Sequence, residues 1–125
     1  MTFLWVALGG AIGSVARYGV NVVSARLIGG SFPWHTLTVN VLGCFIMGVI
    51  VELLALRLNA GNDLRAFLTT SILGGFTTFS AFALDFALLV ERKSFMAASS
   101  YAVASVALSL MAVFAGLHLV RQILQ

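Results

Sequence analysis

Gly74-Gly75-Phe76-Thr77-Thr78-Phe79-Ser80-Ala81-Phe82 sits in the middle of an apolar run that reaches from Leu64 to Val90. Two adjacent glycines followed by two threonines are poor material for a regular helix. Glycine gives up the most backbone freedom on ordering, and a β-branched side chain is crowded by the preceding turn. The stretch therefore predicts a third helix broken near Gly74 to Ser80. Inside hydrocarbon, unwound backbone is tolerated only where protein, an ion or water satisfies its freed carbonyls and amides. A break here predicts a bound ion or a pore. The other reading is a continuous helix whose glycines let a neighbouring helix come close.

Outward from this stretch, composition sets the class. Of 125 residues, 61% are hydrophobic and 9% charged, more apolar surface than a soluble domain of this size can hide. One crossing of a hydrocarbon core about 30 Å thick takes about 20 apolar residues. The length accommodates four crossings with short loops, and residues 1–125 read as a single four-helix transmembrane domain of an all-α membrane protein. The expected spans are Phe3 to Ile28, Trp34 to Leu58, Leu64 to Val90 and Phe95 to Ile123. Between them, Gly29-Gly30-Ser31-Phe32-Pro33, Asn59-Ala60-Gly61-Asn62 and Glu91-Arg92-Lys93-Ser94 carry the residues that stop one helix and start another. Asp63 and Ser94 are the expected N-caps. No basic segment precedes Phe3, and Arg17 lies inside the first run, so this span is read as a retained helix rather than a signal peptide.

Charge and single residues exclude several classes. The formal net charge is +3, spread over loop ends with no basic stripe or stacking platform, which argues against nucleic acid. His35 and His118 sit near span ends without clustered carboxylates or cysteines, so neither a catalytic metal nor a nucleophile site is built and the chain is not read as an enzyme. Cys44 is the single cysteine; beside Gly43 in mid-span it reads as a small packing residue. One membrane face carries Arg57, Arg65 and Arg121, the other Arg26, Arg92 and Lys93. Orientation normally follows such a bias, and here it is nil. Either the balance is a coincidence of counting, or the chain inserts both ways and pairs head to tail. No inverted repeat lies within the chain, so symmetry of the kind many transporters use would need two copies.

Polar groups and rings inside the spans supply candidate sites, each with two readings. Phe76, Phe79, Phe82 and Phe86 recur at spacings of three and four; they form a core stripe, or they offer the positive edges of aromatic rings to a small anion. Tyr101, Ser105 and Ser109 recur every four residues along one helix face, as a packing seam or a ladder of hydroxyl donors. Asn40 lies about 9 Å inside its span. Its amide makes an interhelical hydrogen bond or faces a permeant anion. Arg17 is an intramembrane charge, a functional candidate unless it snorkels to the interface. Asp85 is the matching acid, open to Arg17 or to a cation of a partner chain.

Gly9-Gly10 through Arg17-Tyr18, Thr36-Leu37-Thr38-Val39-Asn40 and above all Gly74 to Phe82 make the chain resemble the Fluc (CrcB) family of fluoride channels over essentially its whole length. The resemblance implies an antiparallel, dual-topology homodimer in the cell inner membrane, a multi-pass ion channel that passively exports fluoride through two pores. It implies that Phe79 and Phe82 are the pore phenylalanines, with Asn40 the amide near them and Ser80 an added hydroxyl. Tyr101, Ser105 and Ser109 would form the polar track of the fourth helix, and Arg17 a vestibule charge. Gly74 and Thr77 would hold a central structural sodium ion through backbone carbonyls from both chains. Its partners are then a second copy, fluoride and lipid. The chain departs from the family pattern at Ala81, Ala83 and Asp85, where Thr, Ser and Glu are common, so two hydroxyls are missing. A small multidrug exporter is a similar four-span dimer but depends on an acid in the first span, which here holds Arg17 instead. A noncatalytic membrane subunit would need small-residue faces and no ion site.

Overall fold

A computed structural model describes residues 1–28, 32–56 and 61–124. Gly29, Gly30 and Ser31 of the first expected loop, and Arg57, Leu58, Asn59 and Ala60 around the second, lie outside the described residues. Everything regular among the described residues is helical: α1 (Thr2–Leu27), α2 (Trp34–Leu56), the short α3 (Asn62–Arg65), a wide π-helical stretch (Ala66–Leu73), α4 (Gly74–Phe76), α5 (Phe79–Glu91) and α6 (Phe95–Leu124). Four stretches are long and apolar enough to cross a membrane: Thr2–Leu27, Trp34–Leu56, Asp63–Glu91 and Phe95–Leu124.

Short-range chemistry sets the ends. The Pro33 carbonyl accepts the Leu37 N–H and starts α2. Lys93, at φ 60°, ends α5 in the left-handed conformation; the Lys93 N–H reaches the Val90 carbonyl and the Ser94 N–H that of Leu89, which satisfies carbonyls a helix end leaves open. Ser94 precedes α6 as expected, and its carbonyl accepts from Ala98. Asp63 is not an N-cap: α3 begins one residue earlier, and the Asp63 carboxylate accepts the hydroxyl of Thr2, tying α1 to the start of the third crossing.

Two helix pairs carry most of the packing, α2 with α6 and α1 with the third crossing. With lipid on one side and helix on the other there is little hydrophobic drive between helices, so contact depends on close backbone approach. A Cβ on Gly48 would stand 2.3 Å from the Val113 carbonyl oxygen, and one on Gly116 would stand 2.4 Å from that of Phe45. On the other pair, a Cβ at Gly13 would stand 2.1 Å from the Ile72 oxygen, and the Ser71 hydroxyl donates to the Val6 carbonyl. An α2–α6 ion pair closes one end, Arg121 Nε to Glu52 Oε1 at 2.9 Å.

Within the third crossing the chain is extended at Thr77 (φ −85°, ψ 159°) and Thr78 (φ −155°, ψ 123°), between α4 and α5. The four phenylalanines consequently do not form one stripe. Two extended residues reset the helical phase, so Phe76 is buried, and a Cβ on Gly43 would lie 3.3 Å from its ring. Phe79 and Phe82 meet each other with centroids 5.4 Å apart, and Phe86 is exposed.

Gly116→Leu is expected to force α2 and α6 apart and to destabilise the fold by about 1–3 kcal/mol, the usual cost of overpacking. Thermal unfolding in detergent measures it, and an unchanged midpoint would show that the close approach contributes nothing.

Candidate functional site

The extended pair at Thr77 and Thr78 is held by Asn40. Asn40 Nδ2 donates to the Thr78 carbonyl at 2.9 Å, and the Thr78 N–H donates to Asn40 Oδ1 at 2.7 Å. The interhelical reading of Asn40 is thus present, and one amide N–H remains beyond this clamp. Thr78 then caps α5: its hydroxyl accepts the Ala81 N–H at 3.1 Å and lies 3.2 Å from Ser80 Oγ. The first-turn N–H groups of α5, like those of any helix, have no intrahelical acceptor.

These bonds free two carbonyls. A continuous helix would send the Thr78 N–H to the Gly74 carbonyl and the Ala81 N–H to that of Thr77. Here the first goes to Asn40 and the second to the Thr78 hydroxyl. Gly74 is exposed, and a Cβ there would meet only the Thr69 oxygen, at 3.7 Å; at Gly75 a Cβ would stand 2.9 Å from the Gly10 carbonyl oxygen. Of the two glycines, Gly75 lets α1 approach and Gly74 faces outward. Carbonyl oxygens are ligands suited to a hard cation, so Gly74 and Thr77 fit sodium in donor type. Two oxygens do not complete a coordination shell.

Beside the clamp runs a groove of about 350 Å³, lined by Asn40 and Cys44 of α2, Thr77, Thr78, Phe79 and Phe82 of the third crossing, and Ser105 and Ser109 of α6. Five of the candidate pore residues, Asn40, Phe79, Phe82, Ser105 and Ser109, therefore share one wall. Ser105 is 7% exposed and its hydroxyl has no hydrogen-bond partner among the described residues. Phe79 is 78% exposed, a ring that the single chain leaves uncovered.

The remaining candidates stand apart from that wall. Ser80 is exposed next to Thr78. Tyr101 is fully buried behind Phe82, ring centroids 5.1 Å apart, and its hydroxyl donates to Asp85 Oδ2 at 3.2 Å. Thr36 donates to the same oxygen at 2.7 Å. Asp85 is thus engaged by two hydroxyls and does not pair with Arg17, which is half-buried on α1 and lines neither cavity. A second cavity, about 290 Å³, lies on the other side of this network and is lined by Ser24, His35, Asp85 and Arg92 among apolar residues.

Sequence reading missed Cys44 and Thr78 as groove residues. Cys44 lies four residues after Asn40 and so shares its face, a signal that the neighbouring Gly43 obscured. It also missed the row of touching rings Trp34, Phe32, Tyr101, Phe82 and Phe79, with centroids 4.6 to 5.6 Å apart, which links residues distant in sequence.

Comparison with known proteins gives a consistent picture. The profile of a family described as CrcB-like protein, Camphor Resistance (CrcB), matches residues 4–117. A protein of Rhizobium leguminosarum bv. trifolii (strain WSM2304) named fluoride-specific ion channel FluC is 57% identical over 118 residues, 94% of each chain. One of the same name from Paracoccus denitrificans (strain Pd 1222) is 57% identical over 120 residues, 96% of this chain and 94% of its own. Another, from Rhodopseudomonas palustris (strain BisB5), is 48% identical over 123 residues, 98% and 99%.

Asn40→Leu leaves the Thr78 N–H without its acceptor and is expected to destabilise the protein by about 1–3 kcal/mol, the cost of an unsatisfied buried group. Asn40→Asp keeps that acceptor and should lose less. Unfolding midpoints in detergent rank the two, and equal midpoints for both variants and the parent would show that the clamp does not hold the segment.

Proposed function

Because the chain belongs to the CrcB-like family, whose relatives here are named fluoride-specific ion channels, we propose that it is a fluoride channel rather than an enzyme. It acts as an antiparallel, dual-topology homodimer in the cell inner membrane and passively exports fluoride from the cytoplasm. The observation that carries the reading is the groove: Asn40, Ser105, Ser109, Phe79 and Phe82 line it together, and the Ser105 hydroxyl is buried there with no hydrogen-bond partner among the described residues.

The chemistry suits fluoride. The ion is small and strongly hydrated, so a path must replace water donors without holding the ion as tightly as a full charge would. The second amide N–H of Asn40, the hydroxyls of Ser105 and Ser109 and the positive edges of Phe79 and Phe82 are such donors. The N-terminal end of α5, bordered by Thr77 and Thr78, adds the positive end of a helix dipole. Ser80 and Tyr101 extend this set, and Arg17 is assigned to a vestibule, where a cation raises the local anion concentration.

One chain is half of the working unit in this reading. Phe79 and Gly74 are both uncovered, and the balance of basic residues across the two faces permits both orientations. A second copy inserted head to tail covers both and yields two pores by symmetry. It also brings a second pair of Gly74 and Thr77 carbonyls. A structural sodium ion supplies the positive charge that freed carbonyls need in a dry interior.

Purified protein in liposomes is expected to release fluoride when valinomycin and a potassium gradient supply the counter-current, and chloride release at an equal rate would overturn the assignment. In the same assay Phe79→Ile and Phe82→Ile should lower flux while leaving the assembly intact, because volume is largely kept and the ring edge is lost; parental flux in both would remove these rings from the path.

Replacing sodium with a larger cation throughout purification should also lower flux. Undiminished flux from protein shown by elemental analysis to hold no sodium would overturn the structural role.

A further inference from the structure

We propose that Cys44 is a modification site inside the ion path: a small uncharged thiophile, with methylmercury chloride as the type, binds its Sγ and closes the groove. The proposal rests on the reading of that groove as the fluoride path.

Cys44 lies ten residues after Trp34, at which α2 begins, and so about 15 Å along that helix. It is a free thiol, half-buried, on the same groove wall as Asn40. Ser105 of α6 lines the same groove, and its hydroxyl is buried and has no hydrogen-bond partner among the described residues, an independent sign that the groove is built to take a ligand. Gly43, not Cys44, makes the tight contact to the third crossing, where its Cβ would stand 2.3 Å from Thr77 Cγ2. The thiol is therefore left to the groove.

Soft metals select thiolate sulfur over oxygen and nitrogen ligands, and methylmercury needs only one such ligand. The step balances without any redox partner: the sulfur–hydrogen bond breaks, a sulfur–mercury bond forms, and chloride leaves with the released proton as hydrogen chloride. The reagent is uncharged and small against a groove of about 350 Å³ whose wall includes Phe79, Phe82, Val106 and Leu110. Once bound, it places a methylmercury group level with the donors that an anion must pass.

The test uses the full chain in liposomes, treated with methylmercury chloride and then assayed both for fluoride efflux and for intact mass. Cys44 is the sole cysteine, so the expected result is a single adduct with flux lowered about tenfold or more, as for an occluded pore. Excess dithiothreitol should reverse both. Cys44→Ser and Cys44→Ala, each compared with its own untreated sample, should show neither adduct nor loss. An unlabelled thiol in the folded protein, or a labelled protein that conducts like the untreated one, overturns the proposal. Absence of fluoride flux before treatment would instead remove the channel reading, while the mass still reports whether the groove admits the reagent.

Discussion

Backbone amides and carbonyls inside hydrocarbon have no water to turn to, and each must find a partner within the protein or its bound ions. In three of the four crossings an uninterrupted helix meets the demand without help. In the third it is met piecemeal where the chain is extended at Thr77 and Thr78. Asn40 reaches from α2 to close both polar groups of Thr78, and the Thr78 hydroxyl takes the Ala81 amide. What this leaves over is the pair of carbonyls of Gly74, which is exposed, and Thr77, which is half-buried. The polar residue in α2, the threonine at the start of α5 and the exposed glycine are thus parts of one accounting problem.

Packing follows a second constraint, the weakness of the hydrophobic drive between helices in lipid. Gly48 and Gly116 bring α2 and α6 together, while Gly9, Gly13 and Gly75 bring α1 against the third crossing. The two pairs leave a groove along one side of α2 and a second cavity at the end near Pro33. Between these spaces stand Tyr101 and Asp85, joined by a hydroxyl and anchored by Thr36. Tyr101 is pinned by its ring neighbours Phe32 and Phe82 and by its bond to Asp85. The wall that separates the groove from the cavity is therefore specified by both packing and polar contacts.

Four apolar runs of membrane length and their approximate ends follow from residue type and spacing, because helix formation in lipid depends on local chain chemistry and on little else. The same local chemistry made Asn40, Phe79, Phe82, Ser105 and Ser109 legible as candidates. What each of them touches was not legible. Phe76 and Phe79 differ by three positions yet one is buried and the other exposed, since two extended residues between them change the phase of the helix. Asp85 meets Thr36 and Tyr101 rather than Arg17, because which helices become neighbours is decided by the close approaches at glycine. Cys44 looked like packing and lines the groove, while its neighbour Gly43 makes the contact. Periodicity assigns a residue to a face of its own helix; only the assembled bundle decides what that face meets, because such contacts join residues far apart along the chain.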